Sequence, residues 1–171
     1  YKYQTKAVSE ICALANLVDV DDDAFCDPSE SKSIFSSGSP LQVNSFRQNV
    51  VGKNKSQFSF NVMHSGSGDV FMNNPGADCP KKSSNRRRSE DKVNVSVVTG
   101  IKGALKCVGL VRTSNGKSSG QITLINEKRT ITCTQEFEDD TSDFKKPVDI
   151  ILDFNYLDGA DKKILVKHLV S

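Results

Sequence analysis

The sequence predicts a mainly β protein, an antiparallel β-sandwich of about seven or eight short strands behind a short N-terminal helix. Three observations carry that prediction. From residue 41 onward apolar and polar residues alternate with period two, as in a strand with one buried and one wet face. The alternating runs are short and are separated by Gly-, Asn- and Ser-rich turns. Hydrophobic residues at 36% and charged residues at 26% describe a folded chain, and 171 residues suffice to bury one core.

Residues 1–40 read differently from the rest. In KAVSEICALANLV, residues 6–18, Val8, Ile11, Cys12 and Ala15, with Leu14 or Val18, fall at helical spacing, so the spacing predicts a helix. Acidic residues and Ser follow, and SSGSP at 36–40 is a turn-rich linker ending in Pro40. The expected organisation is a helix and acidic connector over 1–40, then the sandwich over 41–171.

Within the sandwich, QFSFNVM at 57–63 turns Phe58, Phe60 and Val62 to one face, and KVNVSVV at 92–98 does the same with Val93, Val95 and Val97. ALKCVGL at 104–110 predicts a strand. QITLINEKRTITCTQEF at 121–137 predicts a hairpin turning near Asn126 and Glu127. PVDIILDFNYL at 147–157 lines up Val148, Ile150, Leu152, Phe154 and Tyr156, and KKILVKHLV at 162–170 predicts a last strand after the turn LDGAD. Residues 73–92, NNPGADCPKKSSNRRRSEDK, show no periodicity and predict a long polar loop.

The formal net charge is +2, which selects no class of partner. It is unevenly placed: residues 1–40 hold Lys2, Lys6 and Lys32 against seven acids, a net −4, leaving +6 for the remainder. An acidic start and a basic body either favour head-to-tail contact between copies or are solvated charge. Trp is absent and aromatics are sparse, so no stacking platform for nucleic acid or sugar is indicated. No apolar run reaches the roughly 18–20 residues that span a bilayer. The chain opens on Tyr1 rather than Met, which leads to the expectation of a processed or truncated form whose signal or anchor lay upstream.

Five cysteines, Cys12, Cys26, Cys79, Cys107 and Cys133, form no CxxC pair, and with only His64 and His168 the spacing does not point to a Cys/His zinc site. Two sequons, Asn54-Lys55-Ser56 and Asn94-Val95-Ser96, make Asn54 and Asn94 candidate glycosylation sites. Sequons and cysteines together point to an extracytoplasmic compartment with at least one disulfide, the odd thiol being free or paired between chains. Cys107 and Cys133 alternate inward with Leu105 and Ile131, so they form either an inter-sheet disulfide or two buried thiols.

DVDDDAFCDPSE, residues 19–30, packs six acids into twelve residues. Asp19, Asp21, Asp23, Asp27 and Glu30 fall on the ligand positions of an EF-hand calcium loop, and an apolar run enters it as that motif requires. Ala24 stands at the bend where the motif uses Gly, Pro28 fixes φ, and SKSIFSSGSP makes a poor exit helix. The stretch is therefore an acidic connector or a looser calcium site, and Cys26 offers a tie to Cys12. Lys81, Lys82, Arg86, Arg87 and Arg88 either form a solvated loop tip or suit phosphate or an acidic protein surface. They lack interleaved aromatics and adjoin Glu90 and Asp91, which argues against nucleic-acid readout. No GxSxG, HExxH or phosphate-cradling Gly loop occurs, and neither His64 nor His168 has a local acid or nucleophile at catalytic spacing.

Taken together, LQVNSF, QFSFNVMHSGSGDVF, TITCTQEF and KPVDIILDFNYLDGADKKILVKHL make the chain from residue 41 onward resemble the Ig-like modules of prokaryotic, especially archaeal, surface proteins, of the CARDB type. His64 stands where that pattern has Asn, and the pattern lacks an insertion like 73–92. The resemblance implies an Ig-like sandwich acting as a spacer, adhesion element or interaction surface rather than an enzyme. The resulting expectation is a non-enzymatic cell-surface or filament (pilus-like) subunit. Its partners would be other copies of itself or another surface protein, with 1–40 packing along a neighbour's sheet edge. A receptor or adhesin ectodomain binding its ligand through 73–92, or a calcium-dependent module using 19–30, are the alternatives.

Overall fold

A computed structural model describes residues 1–14, 17, 25–72, 89–138 and 143–159. In chain order the strands are β1 (Lys2–Ala13), β2 (Phe35–Ser36), β3 (Leu41–Gly52), β4 (Lys55–His64), β5 (Asp69–Phe71), β6 (Lys92–Val98), β7 (Leu105–Cys107), β8 (Arg112–Ser114), β9 (Lys117–Thr123), β10 (Lys128–Glu136) and β11 (Phe144–Leu157). They form two antiparallel sheets: seven strands in the order β2-β1-β11-β6-β9-β8 with β5 also on β11, and four in the order β3-β4-β10-β7. Both sheets feed one core, in which Phe58, Phe60, Leu105 and Ile131 of the smaller sheet share a cluster with Val95, Ile150, Leu152 and Phe154 of the larger. Each such side chain contributes about 1.5–3 kcal/mol by leaving water. The strand count among the described residues is therefore higher than expected, because short edge strands such as β2, β5 and β8 bury too little to show in the sequence pattern.

The largest correction falls on residues 6–18. Among the described residues of that stretch there is no helix: β1 pairs with β11 over its whole length, from Lys2 opposite Asn155 to Ala13 opposite Phe144. The inward residues of β1 are Thr5, Ala7, Ser9, Ile11 and Ala13, and all but Ile11 are small or polar, which hides the alternation from a hydrophobicity count. Thr5 Oγ1 donates to Leu41 O at 2.9 Å and Ser9 Oγ to Ser33 O at 2.8 Å, so these buried hydroxyls are satisfied. The helical spacing of Val8, Ile11 and Cys12 is an accident of a strand whose partner lies at the far end of the chain.

A bulge and a corner shape the smaller sheet. In β3 the register shifts between Asn44 and Arg47, with Ser45 at φ 58°. The extra residue resets the face, so Leu41 and Val43 point inward before the bulge and Phe46 and Gln48 after it. The expected hairpin at 121–137 is a corner instead. Asn126 and Glu127, at φ 50° and 63°, make the tight turn, with Ile125 and Lys128 exchanging both backbone bonds. Beyond that pair the arms separate, β9 into the larger sheet and β10 into the smaller. Strand β11 matches expectation, with Val148, Ile150, Leu152, Phe154 and Tyr156 all buried. The strand expected at 162–170, including His168, lies outside the described residues.

Candidate functional site

The exposed chemistry gathers at the two lateral edges of the sandwich and where the chain leaves β5 and returns to β6. On the first edge, residues 25–37 run beside β1. β2 pairs there for only two positions, Val8 with Phe35 and Ala7 with Ser36. Ser37 N adds a backbone bond to Lys6 O at 2.9 Å, and the rest of the segment is held to its neighbours by side chains and one covalent bond. Cys12 and Cys26 form a disulfide. Gln48, buried on β3, accepts from Cys12 N at 2.9 Å and donates to Cys12 O at 2.7 Å, standing in for a missing strand partner. Ser36 Oγ accepts from Val43 N at 3.2 Å, which satisfies one N–H on the open edge of β3.

Of the five candidate calcium ligands, Asp19, Asp21 and Asp23 lie outside the described residues. Asp27 Oδ1 accepts both the N–H and the hydroxyl of Ser29, each at 2.7 Å, and the Ser29 hydroxyl first, then its N–H, hold that carboxyl below the ordinary carboxylate value. Glu30 lies 3.8 Å from the ammonium of Lys32, whose side chain is 2% exposed and donates to Asp27 O at 2.8 Å. Among the described residues no group of His, Cys, Asp and Glu is arranged to hold a metal ion. Glu10, Glu30, Lys32, Lys145 and Phe35 line a cleft of about 480 Å³ along this edge. Phe25 and Phe35 project into solvent.

The second edge is β7 with β8. Cys107 lies directly opposite Cys133 on β10, and the two are bonded. This disulfide joins neighbouring strands of one sheet, not the two sheets, because β7 and β10 both belong to the smaller sheet. The chain then turns, Leu110 N donating to Cys107 O at 3.1 Å, and leaves Val108 and Val111 exposed around the buried Leu110. Gly103 at φ +107° packs its Cα face against the carbonyl of Glu136, a space that no side chain fits.

At the base of the loop, Met72 N donates to Ser89 O and Asp91 N to Val70 O, so the chain leaves β5 and returns to β6 at adjacent points. Lys81, Lys82, Arg86, Arg87 and Arg88 all lie outside the described residues. Burial, then the charges of Glu90 and Asp69, push the Asp91 carboxyl up. His64 stacks edge-on against Tyr156 at 5.9 Å, and the Tyr156 hydroxyl accepts from Gly68 N at 2.6 Å, which places both rings in a structural corner. Of the sequon residues, Asn94 is exposed on β6 and Asn54 sits half-buried in the β3–β4 turn.

Sequence reasoning did not find Phe25, Phe35, Val108 or Val111. The two valines fall inside or beside a run that reads as strand interior, and nothing local marks them as exposed. Among the described residues no helix is long and apolar enough to cross a membrane. Two intramolecular disulfides belong to a non-reducing environment. No family model matches the chain, and no characterised protein matches it in sequence.

Proposed function

We propose that the chain is an extracytoplasmic, non-enzymatic β-sandwich of Ig-like type that works by protein interaction or assembly, as a cell-surface or filament (pilus-like) subunit. The observation that supports this reading is the treatment of its two edges. Each carries a disulfide, and each exposes large apolar side chains, Phe25 and Phe35 on one and Val108 and Val111 on the other. Covalent reinforcement beside exposed apolar groups suits a surface that meets a partner outside the reducing interior of a cell.

Residues 2–13 pair within their own sheet, so this reading assigns the contact to other parts of the chain. Assembly instead uses the sandwich edges. Sedimentation velocity and electron microscopy of the purified chain test the reading. Concentration-dependent oligomers or filaments are expected; a chain that stays strictly monomeric at high concentration removes it.

A further inference from the structure

Residues 92–126 contain Lys92, Lys102, Lys106, Arg112 and Lys117 and not one acid. This stretch builds β6, β7, β8 and β9, so its cations collect toward one side of the sandwich. Lys102, Lys106, Arg112 and Lys117 are exposed, and none of the ion pairs among the described residues involves them. Between Lys106 and Arg112 stand Val108 at 73% and Val111 at 87% exposure, on a turn held by the Cys107 bond and buried Leu110. A rigid turn presents these side chains at little entropic loss on docking.

β2 lies at the opposite end of the seven-stranded sheet from β8. The segment beside it exposes Phe25 at 65% and Phe35 at 76%, with the Asp27 and Glu30 carboxylates alongside. Phenyl faces and carboxylates are the two groups that unpaired Lys and Arg side chains seek, and apolar rings cover valines. The β7–β8 edge holds cations and valines with no ring or acid, while the 25–36 edge exposes rings and the Asp27 carboxylate, its one cation Lys32 being buried beside Glu30.

Resting on the reading of this chain as an assembling module, we propose that the partner is a second copy, docked head to tail, with the β7–β8 edge of one copy against the 25–36 edge of the next. A symmetric contact of two basic edges would set like charges together. A symmetric contact of two aromatic edges would leave the cations and valines bare. Because the complementary surfaces are different and lie on opposite sides of the sandwich, the contact is heterologous and each added copy presents a fresh edge to the next.

Two variants test this, each disabling one edge: Val108→Ser with Val111→Ser, and Phe35→Ser with Asp27→Lys. Circular dichroism checks that both fold, and sedimentation velocity is read for each alone and for an equimolar mixture. Each variant alone is expected to lose self-association by at least about tenfold. The mixture is expected to form dimers that grow no further, since each variant keeps one good edge. Association of wild type that neither variant weakens overturns the head-to-tail contact while leaving assembly itself standing. Variants that stay monomeric when mixed overturn it as well. A wild-type chain that is monomeric throughout overturns the assembly reading on which the contact rests.

Discussion

The two disulfides occupy edges that are built in opposite ways. Cys107–Cys133 is added to an existing ladder, since β7 already pairs with β10 at Leu105, Lys106 and Cys107. Cys12–Cys26 stands where a ladder is missing, between the end of β1 and a segment that pairs with it for only two residues. Their sequence separations are 26 and 14, so the loop-entropy model assigns each about 3 kcal/mol of stability. Equal global contributions therefore conceal unequal local ones. One bond fastens something the backbone ladder holds already; the other ties down a segment that otherwise depends on scattered bonds such as Ser9 to Ser33 and Val43 to Ser36.

Removing the bonds separates these roles most strongly. Cys12→Ala with Cys26→Ala and Cys107→Ala with Cys133→Ala should each lower unfolding stability by about 3 kcal/mol in urea titrations. Only the first pair should open residues 27–34 to limited proteolysis under native conditions. Cleavage there in both variants, or in neither, would erase the distinction. Next in size, Gln48→Ala strips partners from the buried N–H and carbonyl of Cys12 and should cost about 1–3 kcal/mol, with cleavage at the same segment. Gly103→Ala probes the other edge. A methyl group there meets the Glu136 carbonyl at a positive φ, and a loss of about 1–3 kcal/mol is expected, read as faster amide exchange in β7.

The smallest effects are electrostatic and opposite in sign. The Asp27 carboxyl sits below its ordinary value, so its contribution is complete above the unfolded-state value and disappears as pH falls through the folded one. Asp27→Asn should thus be slightly less stable than wild type at neutral pH and equal to it in strong acid. The Asp91 carboxyl is raised, so the folded state carries a penalty at neutral pH that protonation relieves. Asp91→Asn should be the more stable protein at neutral pH, and its advantage should shrink as pH drops through the carboxylate range. Asn tolerates the left-handed backbone at this position, φ 57°, so the comparison isolates charge. Thermal melts across pH check both signs.

Which parts were legible follows from how each strand earns its burial. β4, β6, β10 and β11 alternate large apolar side chains with polar ones, and their inward residues appear at once in the sequence. β1 turns Thr5, Ala7 and Ser9 inward, so its periodicity is invisible to hydrophobicity and a helical coincidence takes its place. β3 changes phase at Ser45, which breaks its alternation into two short pieces. Both pairs of bonded cysteines were marked by position, Cys107 and Cys133 by alternation and Cys26 by its closeness to Cys12. Alternation states only that two residues face inward, not which sheet each belongs to, and the inter-sheet bridge proved to lie within one sheet.

The candidate surfaces divide along the same line. Local composition already contained the acidic stretch at 19–30 and the acid-free run from 92 to 126. A class of fold rich in antiparallel strands also followed from the chain alone, because period-two burial is a property of neighbouring residues. The pairing of β1 with β11 did not, since it joins residues more than a hundred positions apart and depends on backbone hydrogen bonds that every sequence possesses. That single long-range ladder sets β2 at one end of the sheet. The turn of β9 and β10 into separate sheets leaves β8 at the other. The opposition of the two charged, apolar edges is thus a product of strand order, and strand order is settled by which distant strands pack over a shared core.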